Sequence, residues 1–321
     1  MTYLDCLEKH AKLQQRAANA ELKLNSVRQA VAKHLAKKPM HYSGFCCGSL
    51  GRGDFGKTSD LDIFVFSKKD EDERTRLSDR ELLSELISVN KELSFPEFSN
   101  DGMFLKILSF PEMKKSIGYP KDDEKNLFTS RMLMLLESKP LFNENLYNSQ
   151  MNEIVNLYFR DDVDRHSFKP LFLLNDILRF WRTLCLNYEI VRNDTTKPFR
   201  KKNINLKFSR MLTVFATILP IISKHQCSKE DVLSLCKQPP LNQLAIGLDN
   251  LSDDKLLDDF GEFLDRYEFF LSQKENMSDE MDIETREKDK LNATAVKFTD
   301  FLYKCLSHCK IQQEYKKYLV L

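Results

Sequence analysis

The sequence feature that most constrains the fold is a cluster of glycines followed at once by an acidic and apolar strand. Five of the chain's nine glycines fall between Gly44 and Gly56, and four of these five lie in the segment CCGSLGRGDFGKTSDLDIFVF, residues 46–66. Asp60 and Asp62 then enter a run of Ile, Val and Phe that is typical of a buried strand. This segment predicts a tight turn that brings two carboxylates to the edge of a sheet.

The two acids and the turn together predict a site for a phosphorylated ligand. Asp60 and Asp62 are two residues apart, so on a strand their side chains point to the same face. Neighbouring carboxylates resist joint ionisation unless a cation lies between them, and oxygen ligands of this kind suit Mg²⁺. Ten residues separate Ser49 from Asp60. The glycine turn at Gly48 lets main-chain N–H groups approach a phosphate, and Ser49 adds a hydroxyl. A phosphate-binding turn next to metal-binding acids is suited to a reaction in which an acceptor attacks a nucleoside triphosphate.

Length, composition and net charge indicate which broad classes of protein the chain fits. The 321 residues predict two domains of ordinary size, and 42% hydrophobic with 30% charged residues indicates a globular chain. The net charge of +1 argues against a globally basic nucleic-acid binder. No apolar run approaches the roughly 20 residues of a spanning helix, and the N-terminus lacks the apolar core of a secretory signal. We therefore expect a cytoplasmic protein without membrane contact.

The eight cysteines are scattered without paired C-x-x-C motifs. In a chain of this length they indicate reduced thiols that serve as small apolar residues. Cys305, His308 and Cys309 are close together, but three ligands on one short helix with no second cluster are a weak zinc signal. Ordinary helix packing is the preferred interpretation.

The glycine-and-acid segment resembles a known signature. Gly48-Ser49, the spacer of ten, and Asp60-Leu61-Asp62 on an apolar strand look like the motif of the DNA polymerase β-like nucleotidyltransferase superfamily. GSLGRGDFGKTSDLDIFVF is most similar to the GlnD-type, uridylyltransferase-like branch, whose loop reads Gly-Ser/Gly-x-Gly-Arg-Gly-Glu and then Ser-Asp-x-Asp. Residues 129–142, TSRMLMLLESKPLF, look like the helix that follows that branch's catalytic sheet. The resemblance covers about residues 40–145.

The resemblance implies a mechanism with named residues. Asp60 and Asp62 would be the catalytic, metal-binding acids for Mg²⁺ or Mn²⁺, with two ions expected, and Gly48 and Ser49 would hold the β- and γ-phosphates. A nucleoside monophosphate is then transferred to an acceptor and pyrophosphate leaves. Arg52 either adds a cation near the triphosphate or fixes the loop by an internal ion pair.

The pattern of predicted elements and the resemblance together predict the fold and its division into domains. We expect an α+β architecture, with a small mixed-sheet nucleotidyltransferase domain followed by an all-helical domain. The predicted boundaries are a helical segment over 1–38, the catalytic domain over 39–148 and a helical domain over 149–321.

Within the second segment, Ser78 with Glu81 predicts a capping box, residues 103–110 a strand and residues 122–139 a helix.

A third carboxylate is the open question of the site. The superfamily usually places one on a neighbouring strand, where it completes the metal site and helps to deprotonate the acceptor. The matching strand here reads GMFLKILSF, with Lys106 where the acid is expected. Glu97 and Asp101 lie just upstream, and either could serve. A missing third acid would indicate a nucleotide-binding pseudoenzyme or altered acceptor activation.

The helical half supplies candidate cations, since in this superfamily such a domain often closes the nucleotide cleft. Lys207 and Arg210 are three residues apart on a predicted helix over 206–222, and we expect them to contact the triphosphate, with Arg179 nearby. A solvated helix face is the alternative for each. Trp181 either stacks on a base or packs in the core.

The functional prediction is therefore a nucleotidyltransferase that acts on a protein or small-molecule acceptor, with nucleic acid a less expected partner. Two alternatives belong to other classes. One is a nucleotide-binding pseudoenzyme or antitoxin-like regulatory protein, and the other is a synthase of a nucleotide signal. The sequence leaves the choice of NTP, the acceptor and the oligomeric state open.

Overall fold

The structure is a computed structural model that describes residues 1–36, 41–70, 76–98, 102, 104–162, 168–192, 203–276 and 285–320. The chain divides into two compact units. One is Arg16–Arg160, and the other joins Met1–Gln15 to Asp161–Leu321. The first contains the sheet and the second is helical.

The elements of the first 160 residues alternate between helices and short strands. In chain order they are α1 Tyr3–Lys9, α2 Ala11–His34, β1 Tyr42–Cys47, α3 Gly48–Arg52, β2 Asp62–Ser67, α4 Arg76–Glu92, β3 Ile107–Ser109, α5 Phe110–Lys115, α6 Pro120–Glu124, α7 Leu127–Glu137, β4 Lys139–Phe142 and α8 Glu144–Tyr158.

The later elements are all helical. They are α9 Leu171–Arg192, a π-helical segment Leu206–Arg210, a 3₁₀ turn Asp254–Leu256, and α-helices over Met211–Ile222, Lys229–Cys236, Pro240–Leu251, Leu257–Asn276, Thr285–Leu306 and Gln313–Val320. A small sheet early in the chain followed by helices confirms the predicted α+β fold class.

The four strands form one mixed sheet in the order β3-β2-β1-β4. β1 is antiparallel to both β2 and β4, whereas β2 and β3 are parallel. In this register Cys47 at the end of β1 pairs with Asp62 at the start of β2. The glycine turn and the acids therefore lie at the same edge of the sheet.

Each face of the sheet is covered by different side chains. One face joins α2 and α4 in a single apolar cluster, because residues such as Val27, Val65 and Leu86 are fully buried together. On the other face Phe45 packs against Phe64 of β2, with ring centroids 5.7 Å apart. Alternation along β2 thus turns its odd-numbered residues toward the first cluster and its even-numbered ones toward the second face.

Three local predictions for this unit need correction. α4 begins at Arg76, before Ser78, and the Ser78 hydroxyl hydrogen-bonds to the Tyr42 hydroxyl at 2.9 Å, so the predicted capping box is wrong. β3 is only three residues long, because the N–H of Leu105 bonds back to the Gly102 carbonyl at 2.8 Å in a turn before it, and Ser109 caps α5 at its end. The helix predicted over 122–139 is two helices, since Asn126 adopts φ 60° between α6 and α7.

The helical unit has an aromatic core. The ring of Phe208 stacks on that of Phe270 at 4.5 Å, and Phe263 stacks on Phe298 at 4.3 Å. The helix predicted over 206–222 is present, but its first five residues are π-helical. A loop was predicted over 276–290; helix Thr285–Leu306 replaces its second half, and residues 277–284 lie outside the described part of the chain.

The cysteine and histidine cluster near the C-terminus is consistent with helix packing. His308 Nε2 lies 2.9 Å from Asp253 Oδ2, and Cys305 is buried. Burial raises the pKa of the Cys305 thiol to about 12, so the thiol stays protonated at neutral pH. Within the described ranges, no group of three His, Cys, Asp or Glu side chains is arranged to hold a metal.

One described helix, Asn203–Ile222, is long and apolar enough to cross a membrane by length and composition, with a mean hydropathy of 1.3. Sequence reading found no such run because Lys207 and Arg210 interrupt it. Buried core helices pass the same test, and 61% of this window is buried inside the protein. The helix is therefore weak evidence for a membrane span.

A histidine between two glutamates predicts pH-dependent stability of the sheet unit. His34 of α2 places Nδ1 2.9 Å from Glu85 and Nε2 2.9 Å from Glu92, both on α4. Hydrogen bonds to these carboxylates raise the pKa of His34 above 6.5. The stabilisation is therefore complete below about pH 6.5 and is lost as the pH rises through the raised value. We expect the Tm difference between wild type and His34→Gln to be larger at about pH 6 than at about pH 9.

Lys33→Gln is the matched control for this prediction. Lys33 Nζ also contacts Glu92, at 3.2 Å, but Lys33→Gln leaves the His34 imidazole and its two glutamate partners in place. Its Tm difference from wild type should stay level across the same pH range. A His34→Gln difference that is equally level would contradict the ion-pair assignment.

Candidate active site

The glycine turn joins β1 to a single turn of helix. Gly48 follows β1 with φ +66°, and Gly53 ends α3 with φ +79°, where its N–H bonds to the carbonyls of Leu50 and Ser49. Both positions lie in the left-handed region, which glycine adopts without a steric penalty. The glycines at 48 and 53 therefore set the two ends of the turn.

The Asp62 carboxylate lies directly against Gly48. A Cβ atom built at position 48 would lie only 2.4 Å from Asp62 Oδ2, so only glycine allows this approach. The strand pairing of Cys47 with Asp62 produces the contact. The structure thus brings the predicted turn and the second predicted acid together.

Asp60 lies two residues before the start of β2, outside the strand itself. The buried Leu61 belongs to the same apolar cluster as Ile63 and Val65, so the alternation of side chains extends back to position 61. This alternation turns Asp60 to the side opposite Leu61, which is the side of Asp62. Asp60 and Asp62 are both half-buried residues.

The Ser49 hydroxyl and the Gly48 backbone amide differ in their hydrogen bonding. The Ser49 side chain is buried, and its hydroxyl makes no hydrogen bond with any residue that the structure describes. The backbone N–H of Gly48, by contrast, donates to Glu137 Oε1 at 3.1 Å. The hydroxyl is therefore available to a phosphate oxygen, whereas the Gly48 amide already has a protein acceptor.

Arg52 belongs to a buried ion-pair network, which is the second of its two predicted roles. Its guanidinium donates to Asp54 through Nε at 3.0 Å and Nη2 at 3.2 Å, and to Glu137 Oε2 through Nη1 at 3.0 Å. All three side chains are at most 7% exposed. The guanidinium thus fixes the loop, and a direct contact with a nucleotide stays a prediction.

Glu137 is the site residue that sequence reasoning missed. It is the last residue of α7, and its side chain is fully buried. A Cβ at Gly51 would lie 2.0 Å from the Glu137 carbonyl oxygen, so the end of α7 also packs on the backbone of α3. The available signal was one charged residue at the end of the apolar stretch MLMLLE.

The third carboxylate is not found among the described residues. Glu97 is exposed in the connection between α4 and β3. Lys106 is exposed and lies one residue before β3, whose Ile107 pairs with Val65. Asp101 lies outside the described residues. The choice between Glu97 and Asp101 therefore stays open.

The donor set fits the implied metal in its chemistry. Asp60 and Asp62, both half-buried, offer carboxylate oxygens, which are the ligands that Mg²⁺ and Mn²⁺ prefer. The thiol of Cys46, at the end of β1, is buried, and burial raises its pKa to about 12. This cysteine therefore stays protonated and does not compete as a ligand.

Two of the three predicted cations of the helical unit lie in its π-helical segment. Lys207 and Arg210 are both in the π-helical segment, and Lys207 Nζ contacts Asn292 Oδ1 at 3.2 Å. Arg179 lies 3.7 Å from Asp176 on its own helix. The Trp181 ring packs edge-on against Phe215 at 5.5 Å, which favours its core interpretation. The acids and these cations belong to different units, and their proximity stays a prediction.

Comparison with known proteins gives one result for this part of the chain. A family model described as a nucleotidyltransferase domain matches residues 28–117, which include the glycine turn and both acids. The match supports the nucleotidyltransferase superfamily and a transferase activity. A search of curated proteins returned no match.

The contact between Gly48 and Asp62 predicts a stability difference between two glycine substitutions. Gly48→Ala and Gly53→Ala both place a Cβ at positive φ, which costs roughly 1–2 kcal/mol. Only position 48 adds a clash, because nothing lies within 4 Å of a Cβ at Gly53. Urea denaturation should therefore show a larger loss of unfolding free energy for Gly48→Ala. Equal losses would mean that Asp62 does not lie against the turn.

Proposed function

Since residues 28–117 match the nucleotidyltransferase domain, we propose that this protein is a metal-dependent nucleotidyltransferase of the GlnD type. It transfers a nucleoside monophosphate from an NTP to a protein or small-molecule acceptor and releases pyrophosphate. The observation that carries this proposal is the close approach of the Asp62 carboxylate to Gly48, which joins the metal-binding acid to the phosphate-binding turn.

Each site residue has a role in this proposal. The Ser49 hydroxyl donates to a terminal phosphate oxygen, since it has no protein partner in the described part of the chain. Asp60 and Asp62 hold Mg²⁺ or Mn²⁺, which when bound neutralises charge on the triphosphate. Arg52 keeps α3 in place through Asp54 and Glu137.

The transfer itself is a displacement at the α-phosphorus. A lone pair of the acceptor forms a bond to that phosphorus, and the bond from the phosphorus to the bridging oxygen of the β-phosphate breaks. Pyrophosphate leaves with the electron pair, and the acceptor's proton passes to solvent or to a carboxylate. Asp101 and Glu97 are the candidates for that carboxylate.

The helical unit supplies the remaining contacts in this proposal. π-helical turns are rare and occur frequently at functional sites. Lys207 and Arg210 both lie in such a turn, and Phe208 between them is anchored in the aromatic core. We assign these two cations to the triphosphate.

A second candidate function is nucleotide binding without turnover, as in a sensor or an antitoxin-like regulator. The observation that favours it is the lack of a third converging acid within the described ranges. Such a protein would bind an NTP through the same turn but would release no pyrophosphate.

A transfer assay separates the two functions. The protein is incubated with α-labelled ATP, UTP, GTP or CTP and Mg²⁺ or Mn²⁺, and both labelled product and pyrophosphate are measured. We expect Asp60→Asn and Asp62→Asn each to lower the rate at least about a hundredfold, because the metal-bound charge stabilisation is worth several kcal/mol. Asp70→Asn, which removes a surface acid paired with Lys115, should leave the rate unchanged.

The outcomes of this assay are distinct. Pyrophosphate release that depends on both acids supports the transferase. Tight NTP binding with no release supports the sensor. Release that is equal in wild type and Asp62→Asn would contradict the assignment of this carboxylate.

The cation assignment predicts a binding effect. Lys207→Ala and Arg210→Ala should each raise the KM for the NTP about tenfold, because each removes one charge-assisted contact. Lys297→Ala, an exposed lysine on helix Thr285–Leu306, is the control and should leave KM unchanged. Wild-type KM values in both π-helix variants would assign the two cations to a solvated face.

A further inference from the structure

We propose that Glu137 is a positioning residue of the nucleotide site, which acts through Gly48 and Arg52. This inference rests on the proposed nucleotidyl transfer. In it, the Glu137 carboxylate holds the glycine turn in the position where the Ser49 hydroxyl faces the triphosphate and Gly48 lies against the Asp62 carboxylate.

The first argument is that one carboxylate contacts both ends of α3. Its Oε1 accepts from the backbone N–H of Gly48 at 3.1 Å, and its Oε2 accepts from Arg52 Nη1 at 3.0 Å. These two residues are the first and the last of the helical turn. A single side chain therefore fixes both the position of the turn and its rotation.

The second argument is steric. The Glu137 carbonyl oxygen fills the space of a Cβ at Gly51, and Asp62 Oδ2 fills the space of a Cβ at Gly48. The turn is thus enclosed by the end of α7 on one side and by the second acid on the other. A displacement of Gly48 away from Glu137 would also move Ser49, the next residue of the turn, relative to the Asp62 carboxylate.

The third argument is that this use of a buried charge differs from the other one on the same helix. Arg131 of α7 forms a fully buried pair with Asp122, with contacts of 2.7 and 2.8 Å, and also donates to the Tyr158 hydroxyl. These contacts link α6, α7 and α8. They stabilise the fold, whereas the Glu137 network ends at the site.

The Arg131 network supplies the matched control for the experiment. The proteins are wild type, Glu137→Gln, Glu137→Ala and Asp122→Asn, all as the full chain. The folded fraction of each is measured first, and every rate is expressed per folded molecule. KM and kcat for the NTP that wild type prefers are then compared, with Mn²⁺ or Mg²⁺ at saturation.

The positioning role predicts a graded response. Glu137→Ala should raise KM and lower kcat about tenfold each, because it removes the acceptor for Gly48 and one partner of Arg52. Glu137→Gln keeps an amide oxygen for the Gly48 N–H, so its loss should be smaller than that of Glu137→Ala. Asp122→Asn should lower the folded fraction but leave KM and kcat per folded molecule within about twofold of wild type.

Hydrogen exchange provides a readout that does not require turnover. The Gly48 amide donates to Glu137 and should exchange faster in Glu137→Ala than in wild type, while amides in the centre of β2 should keep their protection. Asp122→Asn should not change the Gly48 rate selectively. If Glu137→Ala does not fold, Glu137→Gln and Arg52→Lys test the same network from its two ends.

The outcomes distinguish this inference from the proposed function. A wild-type protein that neither binds nor transfers any NTP overturns both. If wild type binds an NTP but transfers no nucleotide, the Kd of the nucleotide replaces KM in the comparison of wild type with the Glu137 variants. KM or Kd, kcat and Gly48 exchange that are unchanged per folded molecule in the Glu137 variants overturn the inference alone, and assign Glu137 the same structural role as Asp122.

Discussion

The structure of the site depends on one buried carboxylate that lies between a helix end and a glycine turn. Burying Glu137 with Arg52 carries a large desolvation cost, which is offset only when geometry and hydrogen bonding are good. Both conditions are met, because Asp54 satisfies the rest of the guanidinium and the Gly48 N–H occupies the second oxygen of Glu137. Such a network confers position more than stability. It holds a helical turn of only five residues, with Gly48 against the Asp62 carboxylate.

The same arrangement explains why the glycines fall where they do. Gly48 carries a positive φ and gives its Cβ space to Asp62, and Gly51 gives its Cβ space to the backbone of α7. The mixed sheet determines where Asp62 lies, because Asp62 pairs with Cys47, the residue directly before the turn. Sequence, strand register and buried charge therefore converge on one edge of the sheet. That edge is where the proposed function requires an NTP to bind.

Local sequence predicted the glycine turn and the buried strand that follows it, and long-range contacts account for what it missed. The glycine turn, the buried strand and the paired acids fall within about 20 residues, so composition and spacing were sufficient. Glu137 lies 89 residues from Gly48 and 85 from Arg52, and no local pattern links them. Ser78 failed as a cap because its hydroxyl is taken by Tyr42 from β1, which is a tertiary contact. The predicted strand over 103–110 is shorter because turn hydrogen bonds engage Leu105 and Lys106 before it, and Ser109 caps the helix that follows.

The central claim is that the acids hold a metal while the glycine turn binds the phosphates. A crystal structure of the protein with Mn²⁺ and a non-hydrolysable NTP analogue tests it most directly, since the anomalous signal of manganese locates the ion independently of the nucleotide. The account predicts a manganese peak bound by carboxylate oxygens of Asp60 and Asp62, with a terminal phosphate oxygen within hydrogen-bond distance of the Ser49 hydroxyl. Manganese bound elsewhere, or a triphosphate that avoids the turn while Glu137 and Arg52 stay paired, would contradict it.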